Sequence, residues 1–446
     1  MKIGVRHQFS NLPGINPENW CLTPIFRAKI HCIMISYQDA LRQISAVCQP
    51  LESSPTPLDE LLGRAPVEDV RSKMNVPSFA NSAMDGFAMS AAVTARAGSD
   101  TPVEIPVTGV VAAGQEPPEG IKGQAVEIMT GAPIPAGYDT VIPVERIEAK
   151  RDSDGTATLI SCTEPVPPNQ HVREASQDFR LGQKIFTHGH LLEPHHIMGL
   201  AATGTDVVET HRKPKVALIT TGSELAMSGV PSGGGLIRDA NSPYLSSFLT
   251  ATNTDLVRTD FVTDDPNELH TAIKACSDNT DIILTTGGVS AGRFDLVPDA
   301  IKTLGGETLF HKVAMRPGKP LLFARLDKDT LFFGLPGNPI AVAVGLRFFV
   351  LPALRHLQGL VAEQFLPTTC AEPVSSKPGM TFFGKARTEP DENGCLRTRL
   401  LPGQESFKIN SLMQANCWAI VPEGTADVAA GECIEIAPLY PNEFLR

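Results

Sequence analysis

Three glycine-rich loops, at residues 221–225, 285–292 and 334–339, each follow a short apolar stretch that is typical of a buried strand. The second loop reads TTGGVSAG and the third reads GLPGNP. Glycine lets backbone N–H groups approach an anion closely, and threonine and serine hydroxyls add further donors. The loops match neither the Walker A pattern nor GxGxxG. Together they favour a phosphate-bearing ligand, and tight strand-to-helix turns without a ligand are the alternative.

Charged residues near these loops offer further contacts to such a ligand. Asp239 and Asn241, in IRDANSP, lie just before a predicted helix and supply oxygen atoms of the kind that Mg²⁺ binds. Capping of that helix explains the same residues and is favoured when the spacing is considered alone. Lys312, Arg316 and Lys319 concentrate positive charge around MRPGKP, which suits a phosphate or another oxyanion, and a solvated basic loop is the alternative.

Two other polar groups have weaker chemical implications. Asp85, in NSAMDGFA, precedes a glycine, and an isolated Asp-Gly pair usually marks an Asx-turn. Four histidines lie close together in the sequence without HExxH or another recognised ligand spacing, namely His188, His190, His195 and His196. They are predicted to be surface or core histidines rather than metal ligands.

The elements that must hold the loops are alternating strands and helices between residues 213 and 358. Apolar runs predict strands at 216–219, 282–284 and 331–335. Capping signals and helical spacing predict helices that begin near residues 242, 265, 295 and 340. Strands that alternate with helices imply right-handed crossovers and a parallel sheet, and the ligands of such sheets bind beyond the carboxyl ends of the strands.

Changes of pattern divide the rest of the chain. Ser36 and Asp39 form a capping-box variant that predicts a helix start, and Met34 just before it looks like a natural start of the protein. Short apolar runs broken by Gly and Pro predict β-structure, as does the alternation beyond Pro367. The predicted units are 1–33 as an extension, 34–212 as a linker region with a β-rich lobe at about 67–145, 213–358 as an α/β domain, and 366–446 as a β domain.

The composition disfavours several classes of function. The chain has 446 residues and a net charge of −11, so nonspecific binding to nucleic acid or to an anionic membrane is not expected. It contains no run of about 18 apolar residues, and no membrane span is predicted. Its nine cysteines are scattered without a CxxC pair, which indicates neither a zinc site nor a disulfide framework and fits a reducing cytoplasm.

Several of these strings occur in an order that resembles a known family. Between Asn81 and Val342 they are NSAMDGFA, EIMTGAPIPAG with VIPVE, ITTGSEL, IRDANSP, ILTTGGVSAG, MRPGKP and FGLPGNPIAV. The ordered set resembles the molybdopterin molybdenumtransferases of the bacterial MoeA type, which are similar to the E domain of gephyrin. The resemblance runs from about Ile35 to the C-terminus and excludes only residues 1–33.

The resemblance implies a fold and a reaction. The implied fold is multidomain, with an N-terminal linker region and β-rich lobe, a central parallel α/β molybdopterin-binding domain and a small C-terminal β-barrel-like domain, in a homodimer. The implied reaction inserts molybdate into adenylylated molybdopterin with Mg²⁺-dependent release of AMP. The cleft lies between the α/β domain of one subunit and the lobe of the other. Expected partners are the molybdopterin adenylyltransferase and molybdoenzyme maturation proteins.

The resemblance also assigns roles to residues. Asp85 matches the family's essential aspartate and is expected to act across the dimer interface, whereas Asp239 matches the aspartate at the phosphate and Mg²⁺ end. Both are expected metal ligands, and catalytic roles are expected for Asp85, Asp239, Lys312 and Lys319. The residues expected to contact molybdopterin are Thr221, Gly222, Ser223, Asn241, Gly287, Gly288, Ser290, Gly292, Arg316, Pro336, Gly337, Asn338, Lys385, Ser406 and Ser411.

Four positions depart from the family pattern. Ser176 stands where the family usually has glycine, and Gln177 stands where many members have glutamate. Arg316 replaces a common lysine, and Lys385 occupies a position associated with arginine. The lost carboxylate at Gln177 leaves open a weakened insertase, a paralogue with a shifted metal or partner preference such as tungstate, or a noncatalytic scaffold. The related adenylyltransferase shares the α/β module but is normally one short domain, and a nucleotide-processing hydrolase is a more distant alternative.

Overall fold

The first helix of the protein begins where the sequence predicts it. The computed structural model describes residues 34–226, 235–289 and 296–441, and the predicted extension 1–33 lies outside these ranges. Helix α1 (Tyr37–Val47) starts after Ser36, whose side-chain oxygen accepts a hydrogen bond from the Asp39 backbone N–H at 3.0 Å. Its buried face contributes Tyr37 and Ile44 to a core shared with later parts of the chain.

Short strands make up most of the N-terminal region. They are β1 (Ser53–Pro57), β2 (Val70–Arg71), β3 (Asn81–Ser82), β4 (Gly86–Met89), β5 (Val103–Val111), β6 (Ala125–Ile128), β7 (Thr140–Pro143), β8 (Glu148–Arg151), β9 (Ala157–Cys162), β10 (Val172–Arg173), β11 (Lys184–Phe186) and β12 (Val207–His211). A second helix, α2 (Pro194–Ala202), lies between β11 and β12. The lobe is one six-stranded sheet in the order β7-β4-β6-β5-β9-β8, and an apolar cluster forms on each of its faces.

The linker region is built from segments on both sides of the lobe in sequence. Strand β1 pairs with β12, and β2 pairs with β11, in each case antiparallel. Leu61 from the first segment packs with Leu192 and Leu200 from the second, around helix α2. The chain therefore passes through the linker, forms the lobe and returns to the linker before the α/β domain begins.

The α/β domain contains a six-stranded sheet with helices between its strands. Its elements are β13 (Lys215–Thr221), β14 (Leu225–Ala226), β15 (Ile237–Arg238), α3 (Asn241–Ala251), β16 (Asp255–Val262), α4 (Pro266–Ser277), β17 (Ile282–Thr286), α5 (Val297–Thr303), β18 (Glu307–His311), β19 (Met315–Arg316), β20 (Leu322–Arg325), β21 (Leu331–Leu335), α6 (Pro339–Gly345) and α7 (Leu351–Leu357). The strand order is β16-β13-β17-β21-β20-β18, and the first four strands are parallel as predicted.

Strand β20 departs from the predicted parallel arrangement. It runs antiparallel to both β21 and β18. Only residues 326–330 separate β20 from β21, and a crossover between parallel strands needs a dozen or more residues. The short connection therefore fixes an antiparallel hairpin at this side of the sheet.

One long apolar helical stretch passes through the core. Residues Pro339–Leu357 include α6, a π-helical turn at Leu346–Val350 and α7, and they are long and apolar enough to cross a membrane by length and composition alone. Some 83% of this window is buried inside the protein, as in a core helix. Arg347, 1% exposed, lies within it and donates to the Glu363 carboxylate at 2.7 and 2.6 Å.

The C-terminal domain is a closed five-stranded barrel. Its elements are β22 (Leu366–Cys370), β23 (Val374–Ser375), β24 (Thr381–Pro390), β25 (Leu396–Leu400), α8 (Ile409–Gln414), β26 (Cys417–Val421), β27 (Asp427–Val428) and β28 (Cys433–Pro438). Pairing runs β24-β25-β22-β28-β26 and returns to β24. Strand β19 of the α/β domain adds in parallel to β24, and Phe348, Phe383 and Trp418 pack together across the same boundary.

Candidate functional site

The glycine-rich loops meet at the carboxyl ends of β13, β17 and β21. We call residues 221–225, 287–289 and 335–338 the loop cluster. The Thr221 hydroxyl donates to the Thr286 carbonyl at 2.9 Å, and the Gly287 N–H donates to the Leu335 carbonyl at 2.9 Å. Because the three strands are parallel, their ends lie at one edge of the sheet and bring the loops together. Ser290 and Gly292, which were predicted to complete the middle loop, lie outside the described residues.

Close approach explains Gly287 of the loop cluster, whereas Gly337 has open space at its Cβ position. Gly287 has φ +89°, and a Cβ there would lie 2.7 Å from the Thr221 hydroxyl oxygen and 3.1 Å from its carbonyl oxygen. Gly337 is exposed, and a Cβ added to it would meet only the Gly287 Cα, at 3.8 Å. The neighbouring Gly288 also has positive φ, and Pro336 is buried. The glycines of the cluster thus leave backbone uncovered by side chains, beside the exposed side chains of Ser223 and Asn338.

Helix α3 is tied to this cluster at its start. Asn241, 8% exposed, donates from its side-chain amide to the Gly337 carbonyl at 2.8 Å. One carboxylate oxygen of Asp239 accepts from the backbone N–H groups of Asn241 at 2.9 Å and Ser242 at 3.1 Å. Helix capping is therefore one role of Asp239. No hydrogen bond within the described residues uses its other oxygen, and metal binding by Asp239 stays a prediction.

The first loop is anchored on its other side by an aspartate that the sequence reasoning missed. Ser223 donates from its backbone N–H to the Asp264 carboxylate at 3.1 Å, and the Asp264 N–H donates to the Ser223 hydroxyl oxygen at 3.3 Å. Gly222 precedes this contact with φ +142°. Asp264 follows β16, a strand that was not predicted, so its place beside the loop could not be inferred.

A segment of the C-terminal domain reaches the same edge of the sheet. The Ser406 carbonyl accepts from the Ile340 N–H at 3.0 Å, in the first turn of α6 and next to Asn338. Ser406 and the loop cluster are therefore close neighbours, as the resemblance implies. Ser411 is placed differently, because its hydroxyl donates to the Pro402 carbonyl at 2.5 Å and so fastens this segment.

Lys385 does not have the surface position that a ligand contact requires. Its side chain is fully buried, and its ammonium donates to the carbonyls of Gly403, Glu405 and Lys408 at 2.6, 3.2 and 3.0 Å. Burial lowers the pKa of this lysine. An ammonium has three N–H donors, and all three are used here. The predicted cofactor contact is thus corrected: Lys385 holds the segment that carries Ser406.

The predicted cations lie on the segment between β18 and β20. His311 donates from its ring nitrogen to the Val289 carbonyl at 3.0 Å, which places this segment against the loop cluster. The guanidinium of Arg316 lies 5.2 Å from the centre of the Phe382 ring. Lys319 is exposed and Lys312 half-buried, and within the described residues neither amine forms an ion pair. Their charges are available to an anion.

Asp85 lies in the lobe, apart from these groups. One of its carboxylate oxygens accepts from the Thr130 N–H at 2.6 Å and from the Thr130 hydroxyl at 2.8 Å. These hydrogen bonds lower the pKa of Asp85. Gly86 is required beside it, since a Cβ there would lie 2.0 Å from the Ile142 carbonyl oxygen. Within the described ranges, no hydrogen bond or ion pair joins the lobe strands to the α/β domain of the same chain.

Two of the residues that depart from the family pattern, Ser176 and Gln177, follow strand β10, which lies beside the Asp85 loop. Strand β10 pairs with β3, and the Ala83 N–H donates to the His171 carbonyl at 2.8 Å. Gln177 is exposed and lines a cavity of about 580 Å³ together with Glu174, Asp178 and Arg180. Gln177 thus lies in the wall of a polar cavity, on the segment whose strand β10 pairs with β3.

Ser176 adopts a backbone conformation that explains the family's glycine. Its φ is +61°, in the left-handed region that costs an L-residue about 1–2 kcal/mol. We expect Ser176→Gly to raise the free energy of unfolding by about 0.5–1 kcal/mol, since part of the relieved strain is offset by the greater freedom of glycine in the unfolded chain. Urea denaturation measures this change.

Asn253 offers a matched control for that change. It also has positive φ, at +55°, but its side-chain amide donates to the Gly63 carbonyl at 3.1 Å. Asn253→Gly relieves less strain, because asparagine tolerates the left-handed region, and it removes a hydrogen bond to a distant segment, whereas the Ser176 hydroxyl donates only to the adjacent Ala175 carbonyl. No gain in stability is therefore expected for Asn253→Gly. Equal stability changes in the two variants would contradict the backbone explanation for Ser176.

Three family models together match nearly the whole described chain. They are the MoeA N-terminal region (domains I and II) over residues 35–204, a probable molybdopterin binding domain over 217–356, and the MoeA C-terminal region (domain IV) over 368–439. The fold and the loop cluster therefore define a multidomain protein built around a molybdopterin-binding α/β domain. The exact domain limits proposed from the sequence stay predictions.

Individual relatives identify the family. The chain is 35% identical over 415 residues to a molybdopterin molybdenumtransferase of Synechococcus elongatus, covering 91% of this chain and 100% of that protein. It is 31% identical over 408 residues to one of Bacillus subtilis, covering 90% and 93%. The crystal structure of a molybdopterin biosynthesis MoeA protein from Pyrococcus horikoshii is 27% identical with a TM-score of 0.73, over 91% of this chain and 100% of that one. The chain belongs to the molybdopterin molybdenumtransferase family and is a transferase of molybdenum cofactor biosynthesis.

Proposed function

We propose that this protein inserts molybdate into adenylylated molybdopterin and releases AMP in a Mg²⁺-dependent step. The observation that carries the proposal is the loop cluster, where three backbone loops, the start of α3 and a lysine-bearing segment converge at one edge of the sheet. The family places the protein in molybdenum cofactor biosynthesis. The use of an adenylylated substrate and the dependence on Mg²⁺ are the more specific parts of the proposal, and the chemistry of the site supports both.

The loop cluster suits the phosphate groups of an adenylylated pterin. Gly287, Gly288 and Gly337 leave their backbone uncovered, and the N-terminus of α6 begins immediately after Asn338. Backbone N–H groups and a helix N-terminus stabilise a phosphoanhydride and the charge that develops on it during cleavage. The Ser406 segment borders the same position through its hydrogen bond to the first turn of α6.

The carboxylates of the site fit a hard divalent cation. Asp239 keeps one oxygen without a hydrogen-bond partner among the described residues, and it lies at the start of α3 next to the loop cluster. Mg²⁺ is usually bound through one or two carboxylates together with substrate phosphates. When bound, Mg²⁺ supplies charge stabilisation for the phosphoanhydride and its leaving group. Asp239 is the residue we expect to hold it, and Asp85 is the second candidate.

Lys312 and Lys319 carry positive charge that offsets the repulsion between the two anionic substrates of the reaction. Molybdate is a dianion, and it must approach a pterin that already carries phosphate, so the two repel each other. Both lysines lie on the segment that contacts the loop cluster through His311. We assign them to the approach of molybdate, with Arg316 held against the Phe382 ring beside them.

We assign Asp85 to the same reaction across a subunit boundary. Its carboxylate is exposed and its charged form is favoured by Thr130, but no hydrogen bond among the described residues brings the lobe to the loop cluster of its own chain. In a homodimer in which the lobe of one subunit faces the α/β domain of the other, Asp85 of one subunit would meet the loop cluster of the other. The homodimer, the cytoplasmic location and the adenylyltransferase and molybdoenzyme-maturation partners remain part of this proposal.

The decisive experiment measures AMP release from adenylylated molybdopterin by the purified protein. We expect release only when molybdate and Mg²⁺ are both present. Parallel reactions with tungstate in place of molybdate determine the oxyanion preference, which bears on the amide at Gln177. Tight pterin binding without AMP release would reject the insertase and favour a noncatalytic scaffold.

A further inference from the structure

Three metal-ligating side chains meet at the start of helix α2, in the linker region. The ligand atoms of Glu193, His195 and His196 all lie within 4.8 Å of one another. This is the part of the chain where the sequence predicted surface or core histidines rather than a metal site. The cluster lies outside the loop cluster and the lobe, and the proposed transferase mechanism does not use it.

Helix capping holds the three residues in place. The Glu193 carboxylate accepts from the His196 backbone N–H, while the Glu193 N–H donates to the His196 ring nitrogen Nδ1 at 3.0 Å. The two imidazole centres are 3.8 Å apart, and His195 Nδ1 lies 3.6 Å from a Glu193 carboxylate oxygen. The Phe186 ring contacts His196 edge-on at 4.6 Å between centres. The donors are thus grouped before any ion binds, which reduces the entropy cost of binding.

An open cavity adjoins the cluster. Its volume is about 510 Å³, and His190, His196 and Glu193 lie in its wall. Lys184 and Arg355 also line it, but Lys184 forms an ion pair with Asp69 at 3.3 Å and Arg355 donates to the Val361 carbonyl. An ion at the cluster would therefore keep coordination positions open to water or to an exogenous ligand.

Binding of an ion at the cluster competes with one hydrogen bond of the helix cap. His196 uses its Nδ1 lone pair for the Glu193 N–H, so an ion bound there replaces a capping hydrogen bond.

We propose that Glu193, His195 and His196 form a binding site for a divalent transition-metal ion, with Zn²⁺ as the expected occupant. Two imidazoles and one carboxylate with open positions are a ligand set that Zn²⁺ accepts, and imidazole disfavours Mg²⁺ and Ca²⁺ as occupants. Replacement of the capping hydrogen bond makes the affinity lower than that of a closed four-ligand structural site.

The proposal is tested by titrating the full-length, metal-free protein with Zn²⁺ in competition with a chromophoric chelator. We expect His195→Ala to remove one bound Zn²⁺ or to weaken it at least about tenfold. His195 takes no part in the capping hydrogen bonds, so this variant retains the helix. His270→Ala on α4 is the control and should bind Zn²⁺ as the unaltered protein does.

A second measurement separates this site from exposed thiols elsewhere in the chain. Co²⁺ in place of Zn²⁺ gives visible absorption bands that depend on its ligands, and a Cys-bound ion adds an intense sulfur charge-transfer band. We expect a nitrogen and oxygen spectrum that is lost in His195→Ala and retained in His270→Ala. Equal Zn²⁺ affinity and stoichiometry in His195→Ala and the unaltered protein would overturn the proposal, as would the absence of Zn²⁺ binding.

Discussion

Replacing Asp85 with asparagine is expected to lower kcat/KM for AMP release by about 100-fold or more, with the fold retained. Asparagine keeps a carbonyl oxygen in the place of the Asp85 oxygen that accepts from Thr130 at 2.6 and 2.8 Å. The loop geometry is therefore preserved and the negative charge is lost. Removal of one group that stabilises a transition state electrostatically costs about 10²–10³-fold. Steady-state kinetics with adenylylated molybdopterin, molybdate and Mg²⁺ measure the loss.

Asp100→Asn is the matched control, since Asp100 is an exposed aspartate of the same lobe whose carboxylate forms no described hydrogen bond. It should have full activity. Circular dichroism and size-exclusion chromatography establish that both variants retain their structure and oligomeric state. Full activity of Asp85→Asn would remove Asp85 from the mechanism.

The proposed cross-subunit position of Asp85 can be tested with the same variant. A dimer that contains one Asp85→Asn subunit and one Asp239→Asn subunit has one damaged site and one site with both aspartates intact if the site is shared between subunits. If each site lies within one subunit, both sites of the mixed dimer are damaged. We expect mixing of the two inactive proteins to restore up to half of the activity per mixed dimer. No recovery in verified mixed dimers would place both residues in one chain.

The loop cluster could be predicted from the sequence because each of its loops follows a strand that leaves a recognisable apolar run. A buried strand leaves an apolar run, as at Ile282–Thr286, and glycine follows where backbones approach within contact distance. Parallel strands then require the loops to meet. The sequence placed Asn241 near these loops, whereas its hydrogen bond to the Gly337 carbonyl, 96 positions away, is seen only in the folded chain.

The roles of residues that depend on long-range packing could not be predicted from the sequence. Lys385 in sequence is one cation among several, and only the folded barrel shows its three carbonyl partners. The antiparallel direction of β20 depends on a five-residue connection in a stretch where no strand had been predicted. Thr130, which favours the charged form of Asp85, lies 45 positions away in the string EIMTGAPIPAG, which indicates the family but not this contact.

Gly287→Ala is expected to destabilise the protein by about 2–5 kcal/mol and to weaken pterin binding at least tenfold. Two costs combine at this position. The residue has φ +89°, where an L-residue pays about 1–2 kcal/mol. Its Cβ would also lie 2.7 Å from the Thr221 hydroxyl oxygen and 3.1 Å from the Thr221 carbonyl oxygen, and such overpacking costs about 1–3 kcal/mol.

Gly305→Ala separates the two costs, because Gly305 has φ +77° and open space around its Cβ position. We expect it to lose only about 1–2 kcal/mol and to bind the pterin normally. In Gly287→Ala the added methyl group must push Thr221 away from the Thr286 carbonyl, which separates two of the three loops that we propose to hold the phosphate. Denaturant unfolding gives the stability of both variants, and fluorescence titration with molybdopterin gives their affinities. Equal losses in the two variants would mean that backbone strain alone explains Gly287, and normal pterin binding by Gly287→Ala would remove the loop contact from the site.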